Sequence, residues 1–442
     1  MRPTAWLPIA VISALAVSGA ATRPRYGGIL RVEMRAAPAS LDPATPDAAP
    51  LTSLVFETLV RVDEAGAPQP CLALSWQHDA TAKRWQFNLR PGTKLHDGSG
   101  LTAATVVAAL EAALPGVTIS ATAAAGNVDA VIIRANHPMP DLLLDLAHNG
   151  WLDTGPFRQT AFEPGQRAEF AANDDYWGGR PFLDAINVQF GRGLRDQLAD
   201  LELGKADVVE AGPADLHRAS SHGRTIWSSA AVSLVALAFN PAPDARPREA
   251  LALSIDRAAM HAVLLQKQGE PTAALLPQWI SGYAFLFPTA QDLPRARTLA
   301  NDLPPAARAL TLTYDPAMRA ARPLAERVAV NARDAGINVQ VSPQNPHADV
   351  RLVEVRLASL DPEHALAALA AALGLPAPAG SGSAAALYES ERKLLEDFRA
   401  VPLFQLPVLY AASSRVRVYT GPPVTRLGDW RFENLWLSGT AP

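Results

Sequence analysis

Phe87-Asn88-Leu89-Arg90-Pro91-Gly92-Thr93-Lys94-Leu95-His96-Asp97-Gly98 is the stretch from which the rest of the chain is read. Leading into it, Trp85, Phe87 and Leu89 alternate with Arg84, Gln86, Asn88 and Arg90, the period-two pattern of a half-buried strand. Pro91-Gly92 supplies one turn and Asp97-Gly98 a second. Beyond them Val106, Val107 and Leu110 recur at helical spacing, with Thr102 placed to cap the helix. The unit is strand, double turn, capped helix, and alone it predicts packing without predicting function.

Its surroundings add an order of short motifs. Upstream stand Gly27-Gly28-Ile29-Leu30-Arg31-Val32, then Pro38-Ala39-Ser40-Leu41-Asp42-Pro43, Phe56-Glu57-Thr58-Leu59-Val60-Arg61 and Pro70-Cys71-Leu72-Ala73-Leu74-Ser75-Trp76. Downstream come Gly155-Pro156-Phe157-Arg158, then Asn173-Asp174-Asp175-Tyr176-Trp177-Gly178-Gly179-Arg180-Pro181-Phe182, and Arg248-Glu249-Ala250-Leu251-Ala252-Leu253-Ser254-Ile255-Asp256-Arg257. No one of these is specific. Their order and spacing from Tyr26 to about Tyr419 resemble the family 5 extracytoplasmic solute-binding proteins, the peptide, nickel and related binding components of ABC importers. The resemblance implies an α/β, two-lobed, periplasmic-binding-protein-like fold with mixed sheets, helices on their faces and a hinge between lobes.

Composition agrees with a globular chain and narrows its partners. A length of 442 residues is more than one domain's worth. A formal net charge of -4 leaves no basic footprint for nucleic acid, so no nucleic-acid partner is expected. Cys71 is the only cysteine, which excludes an intramolecular disulfide and a cysteine metal cage. Residues 1–21 read as a signal peptide: Arg2, an apolar stretch from Trp6 to Val17 too short to span a bilayer well, and Ser18-Gly19-Ala20 as a small-residue cleavage pattern. No cysteine stands at that cleavage site for the lipid anchor common in the family. The expectation is a soluble, periplasmic, monomeric protein cleaved at Ala20 or Ala21.

Taken in order, the chain reads as a strand over 29–34, a helix over 51–59, and the capped helix over 102–114. An alanine- and glycine-rich piece over 115–126 follows, in a region where the family carries a longer insertion, and then a strand over 128–133. A helix over 194–203 and a strand over 206–210 continue a βα alternation that favours a parallel or mixed sheet. Leu234 to Asn240 is a nearly continuous apolar strand, and Leu251, Ile255, Ala258, Ala262 and Leu265 read as one helix. The resulting division is a larger discontinuous lobe of 22–265 and 385–442, with a reduced subdomain around 65–150, and a smaller lobe of 266–384.

Catalytic and metal motifs are incomplete in this sequence. The nine histidines form no His-Glu-x-x-His motif, and Asp361 with His364 reads as a helix start before Pro362. Gly191-Arg192-Gly193 lacks the rest of a dinucleotide fingerprint. Ser390-Glu391-Arg392-Lys393 matches Ser-x-x-Lys without its partner motifs and reads as a solvated helix face. The expectation is a binding protein, not an enzyme, with no cofactor.

The resemblance implies capture of a small solute or peptide-like ligand between the lobes and delivery to ABC importer membrane subunits. The alternatives are a transport-deficient sensor or scaffold, or an exported enzyme. In peptide-binding relatives a carboxylate just before an Asp-Pro pair holds the peptide's amino group. Ala358 stands at that place in Leu357-Ala358-Ser359-Leu360-Asp361-Pro362, which disfavours free-amine peptides. The candidate ligand contacts are Asp47, Ala48 and Ala49, Asn240 at the end of its strand, and Arg356, Ala358 and Ser359, with Trp279 and Tyr283 as an aromatic wall. Arg356 is a lone cation in an apolar strand that must find solvent, a carboxylate such as Glu354, or an anionic ligand.

Overall fold

The structure, a computed structural model, describes residues 23–43, 48–63, 66–124, 128–147, 149–241, 244–380 and 382–439. The expected signal peptide and Asp47 lie outside the described residues. Among those described, no helix is long and apolar enough to cross a membrane.

The strand predicted around Phe87 runs from Arg84 to Leu89 with Trp85, Phe87 and Leu89 buried and the alternate residues half-buried. It pairs antiparallel with Ala73–His78 and with Val128–Arg134, and Thr118–Ala124 completes a four-stranded sheet. Thr102 caps the helix Ala103–Ala113, its hydroxyl accepting from Thr105 N at 3.2 Å. Val106 and Leu110 of that helix pack on the sheet in an apolar cluster that runs from Leu59 to Leu152. Within the alanine-rich piece Thr118–Ala124 is a strand: Ala121 and Ala123 pair opposite Val131 and Asp129.

The rest of the chain hangs on two long antiparallel strands, Thr225–Phe239 and Ala400–Ala412. On the first, Val232, Leu234, Ala236 and Ala238 face one apolar cluster and Val235, Leu237 and Phe239 face another. Both faces being covered explains the continuous apolar run. Burial of each large side chain here contributes roughly 1.5–3 kcal/mol. The other ends of the same two strands, at Trp227, Tyr410 and Ala412, belong to a separate cluster with Leu30, Phe157, Phe170 and Trp430. The ladder between them is irregular from Ser228 to Ser233, where Ala231 lies opposite Pro407. Proline has no N–H to give the ladder, so the pairing is weakest where the strands pass from one cluster to the next.

Around these strands an eleven-stranded mixed sheet forms among the described residues. On one side Ile29–Glu33 runs parallel to Ala185–Gln189 and to Val208–Glu210. On the other, Ala309–Tyr314 runs parallel to Asn338–Pro343 and Val350–Arg356. The helix read as continuous from Leu251 to Leu265 is two, Arg246–Ser254 and Arg257–Val263, because Asp256 leaves the helix and caps the second piece by accepting from Ala259 N. The lobe boundaries expected at 265/266 and 384/385 both fall inside apolar clusters. Leu265 packs in one cluster with Ala300 and Leu324, and Leu387 packs in another with Leu366.

Candidate functional site

Where the two parallel halves of the sheet face each other, a cleft of about 680 Å³ opens between them. Four of the charged wall residues sit at or beyond the carboxyl end of a strand: Arg35 after Ile29–Glu33, Glu210 ending Val208–Glu210, Arg319 after Ala309–Tyr314, and Arg356 ending Val350–Arg356; Glu354 lies within that last strand. In open α/β sheets that edge is where loops diverge and leave a crevice. Ser233, Val408 and Tyr410 of the two long strands line the cleft between the walls.

One wall is built on Glu210, whose Oε2 accepts from the backbone N of Arg35 at 2.7 Å and from its Nε at 3.2 Å. Arg35 Nη1 crosses the cleft and donates to the carbonyl of Ala317. The other wall holds the buried pair Arg319 and Glu354, with Arg319 Nη1 also donating to Pro407 O at 2.8 Å. Burial opposes both charges, but each is outweighed by its partner: Glu354 is held below the usual carboxylate range and Arg319 is raised. Met34 and Met318 give the cleft an adaptable apolar lining. The arrangement offers hydrogen-bonding groups and apolar surface to a solute, at a volume ordinary for ligand sites. A second cavity beside Glu57 and Arg431 measures about 120 Å³, too small for more than a few water-sized groups.

Of the residues expected at the site, Arg356 lines this cleft. Its Nη2 donates to Leu427 O at 2.7 Å and to Asp429 Oδ1 at 2.9 Å, so its carboxylate is Asp429; Glu354 is taken by Arg319. Ala48 is fully buried ahead of the helix Ala49–Val55, and the neighbouring Pro50 reaches the cleft. Asn240 is turned to the far end of its strand, Nδ2 donating to Ala348 O at 2.7 Å.

Trp279 and Tyr283 do not line the cleft. Trp279 donates to Ala231 O at 3.0 Å and carries the Arg426 guanidinium over its ring. Tyr283 is buried against Glu391, its hydroxyl donating at 2.7 Å. Both pack in the apolar cluster that Leu234 and Ala236 face, where an indole or phenol can bury its ring and still satisfy its polar end. Ala358 is exposed, and Ser359 Oγ accepts from Asp361 N at 3.0 Å within the turn that starts the helix Pro362–Ala372. Arg35, Glu210 and Arg319 were not anticipated. For Arg35 and Glu210 the signal available was positional, since the one follows and the other ends a predicted strand.

Comparison with known proteins places this geometry. The family description "Bacterial extracellular solute-binding proteins, family 5 Middle" matches residues 67–138 and 145–374. The oligopeptide-binding protein AppA of Bacillus subtilis (strain 168) is 24% identical over 320 residues, covering 62% of this chain and 58% of that protein. The nickel-binding protein NikA of Staphylococcus aureus is 23% identical over 223 residues, 46% of this chain and 45% of that protein. The match to each of these two relatives thus spans less than two thirds of its length. Among solved structures, the dipeptide binding protein from Pseudoalteromonas sp. SM9913 in complex with Met-Leu aligns with a TM-score of 0.78 at 15% identity, over 93% of this chain and 100% of that one. NikA from Brucella suis in complex with Fe(III)-EDTA aligns at 0.77 and 20% identity, with the same coverage. The structural likenesses carry the fold, and the family match carries the membership: this chain belongs to the bacterial extracellular solute-binding proteins of family 5.

Proposed function

We propose that the chain is a periplasmic, monomeric binding protein that captures a small solute or peptide-like ligand in the interlobe cleft and delivers it to the membrane subunits of an ABC importer. We read the described residues of 23–55, 155–227 and 409–439 as one lobe and those of 228–408 as the other, with the subdomain around Phe87 beside them. The observation that carries this reading is the cleft itself. Its walls come from two separately packed bodies joined by two strands, and Arg35 reaches across it to Ala317 O. A pair of strands with an irregular ladder at the crossing suits hinge closure around a ligand. The protein acts by binding and release, without catalysis, after removal of its leader.

Free-amine peptides are poor ligands in this reading. Ala358 brings no carboxylate, and Asp361 accepts from His364 N in its cap. Native mass spectrometry of protein secreted to the periplasm identifies what co-purifies, and thermal unfolding with that compound tests it. A ligand at one hundred times its Kd stabilises the folded chain by about 2.7 kcal/mol. A protein that emerges empty and is stabilised by no peptide, sugar or metal chelate defeats the proposal.

A further inference from the structure

Arg257 opens the short helix Arg257–Val263 with its side chain 5% exposed. Its Nε and Nη2 both donate to the single carbonyl of Pro402, at 3.0 and 2.9 Å. No carboxylate among the described residues pairs with it. Burial, with no neighbouring charge to oppose it, brings its pKa down to about 10. Arg319, buried as deeply, has Glu354. A guanidinium placed this far from water is ordinarily answered by an anion, and Arg257 has none among the described residues.

The same side chain lines a cavity of about 340 Å³ that shares no lining residue with the interlobe cleft. Leu253, Phe287, Pro288, Leu395 and Phe398 make its walls largely apolar. Two further arginines lining it are already paired, Arg295 with Glu249 at 2.5 Å and Arg392 with Glu389 at 3.0 Å. Arg257 is therefore the cation with an unanswered charge at this cavity.

We infer that this cavity is a second binding site, for a small monocarboxylic acid with an apolar body, and that the acid's carboxylate pairs with Arg257. The volume suits a small ligand, and a guanidinium matches a carboxylate through paired N–H donors. Glu249 and Glu396 in the lining disfavour a dianion such as phosphate.

The test is calorimetric titration of the full chain with 3-phenylpropionate, with its neutral amide and with inorganic phosphate. Arg257→Gln removes the charge and keeps a donor for Pro402 O. Ala290→Trp, at an exposed position of the lining, fills the cavity's mouth without touching Arg257 and stands in if Arg257→Gln fails to fold. The acid is expected to bind saturably, the amide and phosphate at least tenfold more weakly, and each folded variant at least tenfold more weakly than the parent. Equal binding of acid and amide, binding of the acid unchanged in Ala290→Trp, or no saturable binding at millimolar acid overturns the site.

Discussion

Glu57 accepts the indole N–H of Trp177 at 2.7 Å, across 120 positions of chain. The same oxygen takes the hydroxyl of Thr154 at 2.9 Å, and the other takes the hydroxyl of Tyr176 at 3.0 Å and the thiol of Cys71. Burial pushes the Glu57 carboxyl up, and these donors pull it back. The Arg90 guanidinium lies over the indole ring, 3.8 Å from its centroid. Three motifs noted separately in the sequence, around Glu57, Cys71 and Tyr176-Trp177, are thus one polar knot at the side of the apolar cluster around Phe87.

Glu57→Ala leaves three strong donors without an acceptor in a buried place. The expected loss is about 3 kcal/mol, because stranded buried donors cost more than the bond itself returns. Urea unfolding followed by tryptophan fluorescence measures it. A loss below about 1 kcal/mol would mean that water reaches the knot and replaces the carboxylate.

Glu391 gives the pH dependence. Burial raises its pKa to about 7, against the pull of the Tyr283 hydroxyl and the N–H groups of Leu275 and Leu276. Between the ordinary glutamate value of 4.5 and 7 the folded chain keeps a proton that the unfolded chain has released. This contribution to stability is therefore full below pH 4.5 and is lost as pH rises through 7. Its size is about 3 kcal/mol at 1.36 kcal/mol per unit. Glu391→Gln, with the Tyr283 hydroxyl turned to accept, is expected to flatten the fall of Tm between pH 5 and 8. An unchanged slope would place the titration elsewhere.

What could be read beforehand and what could not divide along physical lines. Trp85, Phe87 and Leu89 announce a strand because a half-buried strand alternates, and Thr102 announces a cap because its hydroxyl can satisfy a free N–H at the helix start. Thr118–Ala124 was missed because alanine has little strand preference of its own; the pairing with Val128–Arg134 makes it a strand. Ser390 and Glu391 looked like a solvated helix face, yet both are buried, since the loop around Tyr283 folds over them. The charged walls of the cleft depend on strand order. Arg319 meets Glu354 because Ala309–Tyr314 and Val350–Arg356 are sheet neighbours, a fact no local pattern carries.

The Arg319 and Glu354 pair is expected to behave as a unit. Arg319→Met alone leaves a buried carboxylate uncompensated and should cost about 3–5 kcal/mol, whereas adding Glu354→Leu to it should recover most of the loss. Glu354 is held low, so its share of stability is present above the unfolded pKa and lost as pH falls through the folded one. The double variant should accordingly lose less stability in acid than the parent. Equal losses in the single and double variants, measured by urea unfolding, would show that the lobe does not depend on the pair.

Arg356 is the residue on which binding and stability can be separated. It extends from the strand Val350–Arg356 to Leu427 O and Asp429, in a turn closed by Thr425 N donating to Asp429 O at 2.8 Å. That turn leaves the cluster containing Val424 and Trp430 and puts Leu427 into the cluster that holds Leu357 and Leu366. In the proposed division the bond ties lobe to lobe, and there it would favour a closed arrangement over an open one. Arg356→Ala should weaken capture of the cleft ligand about tenfold, equivalent to roughly 1.4 kcal/mol, by depopulating the closed state. Asp429→Asn should do the same more weakly, since a neutral acceptor remains. The Tm of the empty protein should move little, because each body keeps its own apolar cluster. Titration calorimetry with the co-purified ligand and small-angle scattering of the empty variants check the two halves. Intact affinity with a large drop in Tm would make Arg356 a part of the core and remove it from the closing contact.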